Sequence, residues 1–449
     1  MKKLLLTSAL TVFLNFNGLF AQWSVVCGTG NGFVDNFEVF NGELYGTGFF
    51  TNLCGTPNNH IVKWDGSVWQ PVGTGYPSAG HQLKYLGNWL YFVGYQPVAT
   101  DSNWVYQGGG TNFSKVGEGV YLTGAVNGTL KTANLYALEE YNGNIIACGE
   151  FNRVGNKNIS GIMKWDGSAW DSLGSGLSGN IVGSSDLMYT YDLCKFGNDL
   201  IVAGNFLKAG GITVNGIARW DGNQWHAMDG GFNKPVYSVC VYNGELYAGG
   251  EFTLSGSTAL KCVAKWNGSS WVDPGFGINY TISGMNAFVH TMRVLNTKLY
   301  LAGGFNRVID GTTVRQGQGV FAFNGSNVDT LSGGTINREI EALAWYDGDL
   351  YVGGGMNNTN SYIAKYDGTA SLNESEAEIT WTIQPNPTEH SLLLSGSKKE
   401  QLISILTLEG KLCKTILAQG SETQIDFSEL PSGVYFVKIG EQQRRVVKR

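Results

Sequence analysis

The stretch NGELYAGGEF, residues 243–252, recurs along the chain and decides the fold. Its Asn-Gly pair supplies the positive φ of a tight hairpin turn, and the apolar run after the turn ends in glycines. Closely similar stretches begin at Asn41, Asn142, Gly197 and Asn296. Weaker copies begin at Gly87 and Asp347, so the chain contains seven repeats of this hairpin.

The seven repeats are spaced 46 to 55 residues apart when they are aligned on the apolar residue after the turn. The aligned residues are Leu44, Leu90, Ile145, Leu200, Leu246, Leu299 and Leu350. A second turn follows, as in KWDGSVW from Lys63, and then an aromatic residue before glycines, as in WQPVGTG from Trp69. Each repeat is therefore predicted to form four antiparallel strands, named a to d. This period is typical of the blades of a β-propeller.

The seventh repeat lacks its strand d, because the chain continues after Gly368 into TASLNESEAE. The missing strand matches WSVVCGTG, which begins at Trp23. We therefore predict a seven-bladed propeller whose N-terminal strand completes the last blade and closes the ring. The glycines of this strand fall one residue late against the other repeats, which indicates either a bulge or a small misalignment.

The composition agrees with an all-β protein. The 449 residues include 64 glycines, 13 tryptophans, 21 tyrosines and 22 phenylalanines. Glycine disfavours long helices, whereas aromatic residues favour strands. The formal net charge of −6 at pH 7 opposes a basic nucleic-acid-binding face, so we expect no nucleic-acid partner.

The N-terminus has the pattern of a cleaved signal peptide. Residues 1–21 combine two lysines, an apolar run and an alanine before Gln22, and the run is short for a membrane span. We expect no transmembrane segment after cleavage. A retained anchor is the alternative, because Leu19 is larger than cleavage sites prefer.

The seven cysteines are odd in number and irregular in spacing, so we expect apolar strand residues rather than a disulfide framework. Cys240 and Cys262 fall on strands a and c of one blade. Because strand b lies between them, a bridge between these two residues is not expected.

Residues 22–370 resemble kelch-like propeller repeats, because glycines end strand b, an aromatic residue lies on strand c and a tryptophan lies on strand d. The spacing departs from kelch, since the two aromatic residues are five apart, as in Trp64 and Trp69. The resemblance implies a fold far more than an activity, because propellers support many functions.

After a linker at residues 371–380, residues 381–449 alternate apolar and polar residues between turn signals, which predicts a small, immunoglobulin-like β-sandwich. The motif order resembles the type A C-terminal sorting domain of the type IX secretion system of Gram-negative bacteria. The motif residues are Pro385, Asn386, Pro387, Gly410, Gly433 and Tyr435. The resemblance implies the type IX secretion machinery as a partner, and an extracellular or outer-membrane surface location. The alternative is an ordinary sandwich with a basic tail.

The long b–c and d–a loops fall on one face of the predicted ring, and strand a begins at that face. Nine positions before the aligned residue, strand a carries residues that we expect at the mouth of the central channel. They are Asp35, His81, Tyr136, Tyr191, Tyr237, His290 and Glu341. Such side chains suit a sugar or peptide site, although they can also merely cap the blade interfaces. Seven positions before the aligned residue, the seven residues are all apolar, which predicts packing between blades.

Charged residues lie six positions before the aligned residue in four blades. They are Glu38, Lys84, Glu139 and Arg293. Ion pairs between blades are the expected role, and a charged-ligand site is the alternative. Other motifs are weak: the glycines of residues 174–179 lack a βαβ context, and Asp65, Asp166 and Asp221 are expected to be turn residues.

The sequence therefore predicts a secreted or cell-surface binding module with a glycan or an extracellular protein as its ligand. We expect no cofactor and no metal; the alternative is a copper site of two histidines, His81 and His290, and tyrosines at the channel mouth, as in kelch-type oxidases. The rival function is a polysaccharide-acting hydrolase or lyase that uses carboxylates such as Asp35 and Glu341. A scaffold without a small ligand is the third reading.

Overall fold

The computed structural model describes residues 22–27, 30–58, 60–73, 75–76, 79–95, 102–123, 125–126, 129–130, 133–181, 188–280, 286–317, 319–331, 339–356, 360–367, 382–396, 401–407, 411–439 and 442–449. The chain divides into two compact units, the first ending at Ala370 and the second beginning at Ser371. The described residues form strands, turns and irregular structure without a helix, so the all-β prediction is confirmed. The predicted signal peptide, the linker and Gly410 lie outside the described residues.

Seven four-stranded antiparallel groups, called blades 1 to 7, follow one another in the described part of the first unit. Strands a to d are, in blade 1, Val34–Phe40, Glu43–Gly48, Ile61–Trp64 and Trp69–Pro71; in blade 2, Ala79–Leu86, Trp89–Tyr95, Asn103–Gly108 and Phe113–Tyr121; and in blade 3, Asn134–Tyr141, Asn144–Glu150, Ile162–Trp165 and Trp170–Ser172. They are, in blade 4, Tyr189–Phe196, Asp199–Asn205, Ile217–Trp220 and Trp225–Ala227; in blade 5, Val236–Tyr242, Glu245–Gly250, Val263–Trp266 and Trp271–Val272; and in blade 6, Phe288–Leu295, Lys298–Gly304, Val320–Phe323 and Val328–Asp329. In blade 7 they are Glu339–Tyr346, Asp349–Met356, Asn360–Asp367 and Gln22–Cys27. The loops add short strands at Asn52–Leu53, Thr56–Pro57, Ala125–Val126, Thr129–Leu130, Arg153–Val154, Leu177–Ser178, Lys208–Ala209, Ile212–Thr213, Leu254–Ser255, Thr258–Ala259, Phe276–Asn279, Arg307–Asp310 and Thr313–Gln316.

The blades form a closed ring. Strand a of each blade lies against strand a of the next, and strand a of blade 7 lies against that of blade 1. The N-terminal strand Gln22–Cys27 pairs with Asn360–Asp367 and completes blade 7, and its pairing shifts register between Val25 and Cys27. The predicted closure is therefore observed, and the late glycines reflect a bulge.

The a–b turns explain why the repeat begins with Asn or Gly. In all seven blades the first turn residue has a positive φ, which Asn, Asp and Gly tolerate best. These residues are Asn41, Gly87, Asn142, Gly197, Asn243, Asn296 and Asp347.

The core lies between neighbouring blades. The apolar residue seven positions before the aligned one is buried in every blade, as predicted. The residues are Phe37, Leu83, Leu138, Leu193, Val239, Met292 and Leu343. The strand-d tryptophans add hydrogen bonds between blades: Trp170 Nε1 donates to Val116 O at 2.9 Å, and Trp271 Nε1 donates to Met228 O at 3.2 Å.

Backbone pairs join the blades at the loop-bearing face. Strand d of blade 2 extends to Tyr121 and pairs with Arg153–Val154 of blade 3. Leu177–Ser178 pairs with Lys208–Ala209, and Gly30 bridges Leu53 between blades 7 and 1.

A disulfide between Cys27 and Cys54 lies at the seam between blades 7 and 1. The expectation that the cysteines are apolar strand residues rather than bridges is wrong for this pair. The two residues belong to the last and first blades and become neighbours only because the ring closes. Cys240 and Cys262 are free, as expected.

The second unit contains two antiparallel sheets in its described residues. The first sheet contains Thr382–Gln384, Ser391–Ser395 and Glu422–Asp426; the second contains Leu402–Thr407, Leu412–Leu417, Gly433–Ile439 and Gln442–Lys448. Buried residues of both sheets, including Leu394, Ile425 and Val437, form its core. Asn386 Nδ2 donates to Arg445 O at 2.8 Å, and Tyr435 OH donates to Pro431 O at 2.8 Å. Asn386 therefore ties the start of this unit to its last strand, since its Oδ1 also accepts from Val447 N at 2.9 Å.

Candidate functional site

A bulge occurs at the same point of strand a in every blade. The pairing of strand a with strand b skips one residue there. The skipped residues are Asp35, His81, Tyr136, Tyr191, Tyr237, His290 and Glu341. A bulge redirects the side chain of the extra residue. These are the seven residues that the sequence predicts at the channel mouth, and they are called the bulge ring.

All seven residues of the bulge ring line one cavity at the centre of the propeller. The cavity has a volume of about 660 Å³, which lies within the usual range for small-molecule sites. Deeper along strand a the same cavity is lined by residues such as Asp192, Cys194 and Arg293. The structure therefore brings the predicted residues together, and no member of the set lies elsewhere.

Blades 3 to 5 supply an aromatic arc. The ring of Tyr191 lies edge-to-face with Tyr136 on one side and Tyr237 on the other, at centroid distances of 5.4 and 5.1 Å. His81 continues the arc at 4.6 Å from Tyr136, and His290 continues it at 6.5 Å from Tyr237. Burial raises the pKa of all three tyrosines, so their hydroxyl groups stay protonated.

Blades 7, 1 and 2 supply a polar arc. The carboxyl groups of Asp35 and Glu341 share a hydrogen bond, and His81 Nδ1 lies 3.0 Å from Asp35 Oδ2. Burial raises the pKa of Asp35 to about 7 and raises the pKa of Glu341 well above its usual value, helped by the negative charge of its neighbour. Burial lowers the pKa of His81 to about 4, so its contact with Asp35 involves a neutral imidazole.

Two buried polar atoms of the ring, His290 Nδ1 and Glu341 Oε2, receive no hydrogen bond from an N–H or hydroxyl group among the described residues. His290 also forms a hydrogen bond with the main chain of Glu341. Burial lowers the pKa of His290 to about 4, so its ring is neutral and has one donor and one acceptor nitrogen. Buried polar atoms are rarely left unpaired, so these two atoms mark places for ligand atoms or water.

In several blades the residue after the bulge has a structural role that the sequence reasoning missed. Asn36 Oδ1 accepts from Leu83 N at 3.1 Å, and Gln82 Oε1 accepts from Leu138 N at 2.7 Å. Asp192 Oδ2 accepts from Val239 N at 2.9 Å in the same way. Each bond joins a blade to the next one. The available signal was a polar residue directly before the uniformly apolar position.

The charged positions below the ring form ion pairs. Lys84 Nζ lies 2.8 Å from Glu139 Oε2 in the neighbouring blade, as expected. Arg293 Nη1 lies 3.3 Å from Glu38 Oε2 and joins blade 6 to blade 1. Blade 7 lies between blades 6 and 1 and has the small residue Ala344 at the equivalent position, which leaves room for Arg293 to reach Glu38.

The geometry opposes a glycoside hydrolase that uses Asp35 and Glu341. Glycoside hydrolysis uses carboxyl groups about 5 to 10 Å apart, whereas those of Asp35 and Glu341 are directly hydrogen-bonded. Within the described residues no cluster of three or more His, Cys, Asp or Glu side chains fits a metal ion. Asp166 Oδ1 accepts from Ser168 N and Ala169 N, which is the turn role expected of it.

The first unit is therefore a ring of four-stranded blades with a central polar and aromatic cavity, and comparisons with known proteins address the second unit. Residues 382–449 match the family described as the secretion system C-terminal sorting domain. A sorting domain of this kind is thus present, and it implies export through the type IX pathway to the cell surface or the medium. No helix of the described chain is long and apolar enough to cross a membrane.

No curated protein matches the chain. Among solved structures, PorZ, a bacterial surface component of the type IX secretion system of Porphyromonas gingivalis, is 13% identical with a TM-score of 0.32. That match covers 91% of this chain, and this chain spans 64% of PorZ. The designed protein Ika8 is 11% identical, with a TM-score of 0.38 and coverage of 75% of this chain and 96% of that one. The WD40 β-propeller domain of Doa1 is 14% identical, with a TM-score of 0.41 and coverage of 76% and 96%.

Proposed function

We propose that this protein is an exported binding module whose propeller captures a glycan at the bulge ring. The observation that carries the proposal is the bulge that recurs in all seven blades and directs stacking and hydrogen-bonding side chains into one cavity. Packing between blades requires only the buried apolar residue that lies two positions after the bulge residue on strand a. A bulge in every blade therefore suits a ligand site better than a purely structural ring.

The chemistry of the ring favours binding over catalysis. The tyrosine arc offers flat apolar faces, and the polar arc offers hydrogen-bond donors and acceptors. A sugar ring has the same two-sided character, with a C–H face and hydroxyl edges. The carboxyl groups of Asp35 and Glu341 share a hydrogen bond, so they are too close together to act as the separated pair of a glycoside hydrolase.

The sorting domain gives the route, and the kelch-like propeller is the cargo. The signal peptide at residues 1–21 takes the chain across the inner membrane, and recognition of residues 382–449 by the type IX machinery takes it across the outer membrane. Capture of an extracellular glycan is a task that fits this destination.

The test is glycan-array binding by the exported chain beside the double variant Y136A/Y191A. We expect saturable binding by the natural chain and a loss of at least about tenfold in the double variant, since stacked aromatic residues dominate such contacts. Tyr85→Ala is the matched control, because this tyrosine is 42% exposed and does not line the cavity. Binding that survives in Y136A/Y191A would place the ligand elsewhere.

A further inference from the structure

We infer that the bulge ring takes a positively charged ammonium group, presented by an amino sugar that is not acetylated. The inference rests on the proposed glycan-binding function and narrows the ligand to one chemical class. It combines the charge around the mouth, the unpaired buried atoms and the arrangement of the tyrosines.

Carboxyl groups dominate the surroundings of the ring. Besides Asp35 and Glu341, the side chains of Glu150, Glu251 and Glu339 are near enough to raise the pKa of tyrosines of the ring. Lys234 is paired with Glu251 at 3.0 Å. In the described part of the chain three cations line the cavity below the ring, Lys84, Lys195 and Arg293, and Lys84 and Arg293 each pair with a carboxylate. At the level of the ring itself no lysine or arginine of the described residues lines the cavity, and a mouth of one sign of charge attracts ligands of the opposite sign.

Among the described residues, the basic side chain in contact with the Asp35–Glu341 pair is His81, at 3.0 Å from Asp35. Both histidines of the ring are neutral, so the repulsion between the carboxyl groups is relieved by a proton rather than by a protein charge. A buried acid pair of this kind accepts either a proton or another cation. Glu341 lines the cavity, and its Oε2 receives no hydrogen bond from an N–H or hydroxyl group among the described residues, so it can accept from an N⁺–H donor.

The tyrosines complete a cage for a cation. Three rings at successive edge-to-face angles surround one side of the cavity, opposite the carboxyl groups in ring order. The negative faces of aromatic rings attract ammonium groups, and desolvation strengthens this attraction. The same rings can stack on the pyranose ring of an amino sugar. A simple amine has no such ring.

The remaining unpaired atom favours a sugar as the carrier of the ammonium group. His290 Nδ1 has no hydrogen-bond partner among the described residues, and a hydroxyl group can serve this atom either as donor or as acceptor. A cavity of about 660 Å³ also exceeds the size of an ammonium group alone. An amino sugar provides the cation, the stacking face and the hydroxyl group in one unit.

The test is calorimetry on the exported chain with tetraglucosamine and with its fully N-acetylated counterpart as probes. The titrations are run at about pH 6, where the free amine is largely protonated, in two buffers of different ionisation enthalpy. We expect tetraglucosamine to bind with release of a proton from the acid pair and with weakening by salt. We expect the acetylated probe to bind at least about tenfold more weakly, without proton release.

Glu341→Gln removes one carboxyl group and keeps the shape of the side chain. It should weaken tetraglucosamine binding about ten- to a hundredfold and abolish the proton release. Glu245→Gln is the matched control, because this glutamate pairs with Lys265 at the a–b turn, outside the cavity. If Glu341→Gln does not fold, Asp35→Asn makes the same test, and thermal melting identifies a folding defect.

The outcomes separate the inference from the proposed function. Equal or tighter binding of the acetylated probe, or binding of tetraglucosamine without proton release, overturns the ammonium site while glycan binding stands. Binding of a lysine tetrapeptide but not of tetraglucosamine overturns the amino sugar as the carrier. If neither probe binds although the array finds another glycan, only the inference fails; if no glycan binds, both fail.

Discussion

His81 and His290 stay uncharged in the folded ring, because burial lowers the pKa of each to about 4. In the unfolded chain each of them titrates near the ordinary histidine pKa of about 6.5. The unfolded state therefore binds more protons between these values, and stability falls as the pH is lowered through this window. Asp35 acts with the opposite sign, since its raised pKa stabilises the fold at low pH and costs stability as the pH rises to about 7.

His290→Gln separates these opposing effects, because glutamine keeps a hydrogen-bond donor and does not titrate. We expect the variant to gain stability relative to the natural chain as the pH falls from 6.5 to about 4, by up to about 1.4 kcal/mol per pH unit. Denaturant unfolding at several pH values measures the difference. His390→Gln, an exposed histidine of the second unit, is the control. Unfolding curves that shift in parallel at every pH would contradict the assignment.

At the scale of the single element, the bulge in strand a separates the ligand-facing residue from those that build the fold. In blade 5, Val236 and Val239 pack between blades, while Tyr237 is the extra residue between the paired positions Val236 and Ser238. Because side chains alternate along a regular strand, removing the extra residue leaves Val236 and Val239 on the same face. The strand should therefore tolerate this deletion.

We expect the chain without Tyr237 to fold with a melting temperature near that of the natural chain and to lose ligand affinity. Deletion of Val241 is the matched control. It lies in the regular part of the strand, so it turns Val236 and Val239 out of the interface at a cost of about 2 kcal/mol for each side chain. Thermal melting and glycan binding measure both effects. Equal destabilisation by the two deletions would mean that the bulge residue is part of the core.

Much of strand a and its turn could be predicted from the sequence. Turn residues such as Asn243 and the buried position of Val239 follow from local rules, because glycine, asparagine and period-two patterns act within one hairpin. The alignment also placed Tyr237 and its equivalents at the channel mouth. It did not reveal that they are bulges, because a bulge is a property of the pairing between two strands. The contact between Asp35 and Glu341 depends on ring closure, and its hydrogen bond is not encoded in any spacing.

At the scale of the whole molecule, the ring closes at the seam between blades 7 and 1. The N-terminal strand belongs to blade 7 by pairing, and the chain enters blade 1 directly afterwards. Gly30 bridges Leu53 across this seam, and the Cys27–Cys54 disulfide lies beside that bridge. A covalent bond at this point limits how far the terminal strand can move from the ring when blade 7 opens.

We expect the double variant C27S/C54S to fold but to lose about 3 to 4 kcal/mol of unfolding free energy, the chain-entropy value for a loop that closes over 27 residues. Amide exchange should accelerate first in Gln22–Cys27, because this strand is then held by hydrogen bonds and packing alone. Cys413→Ser, which changes an exposed free cysteine, is the control. Denaturant unfolding and exchange together measure the result. If the double variant unfolds at the same denaturant concentration as the natural chain, hydrogen bonding and packing at the seam are sufficient to close the ring.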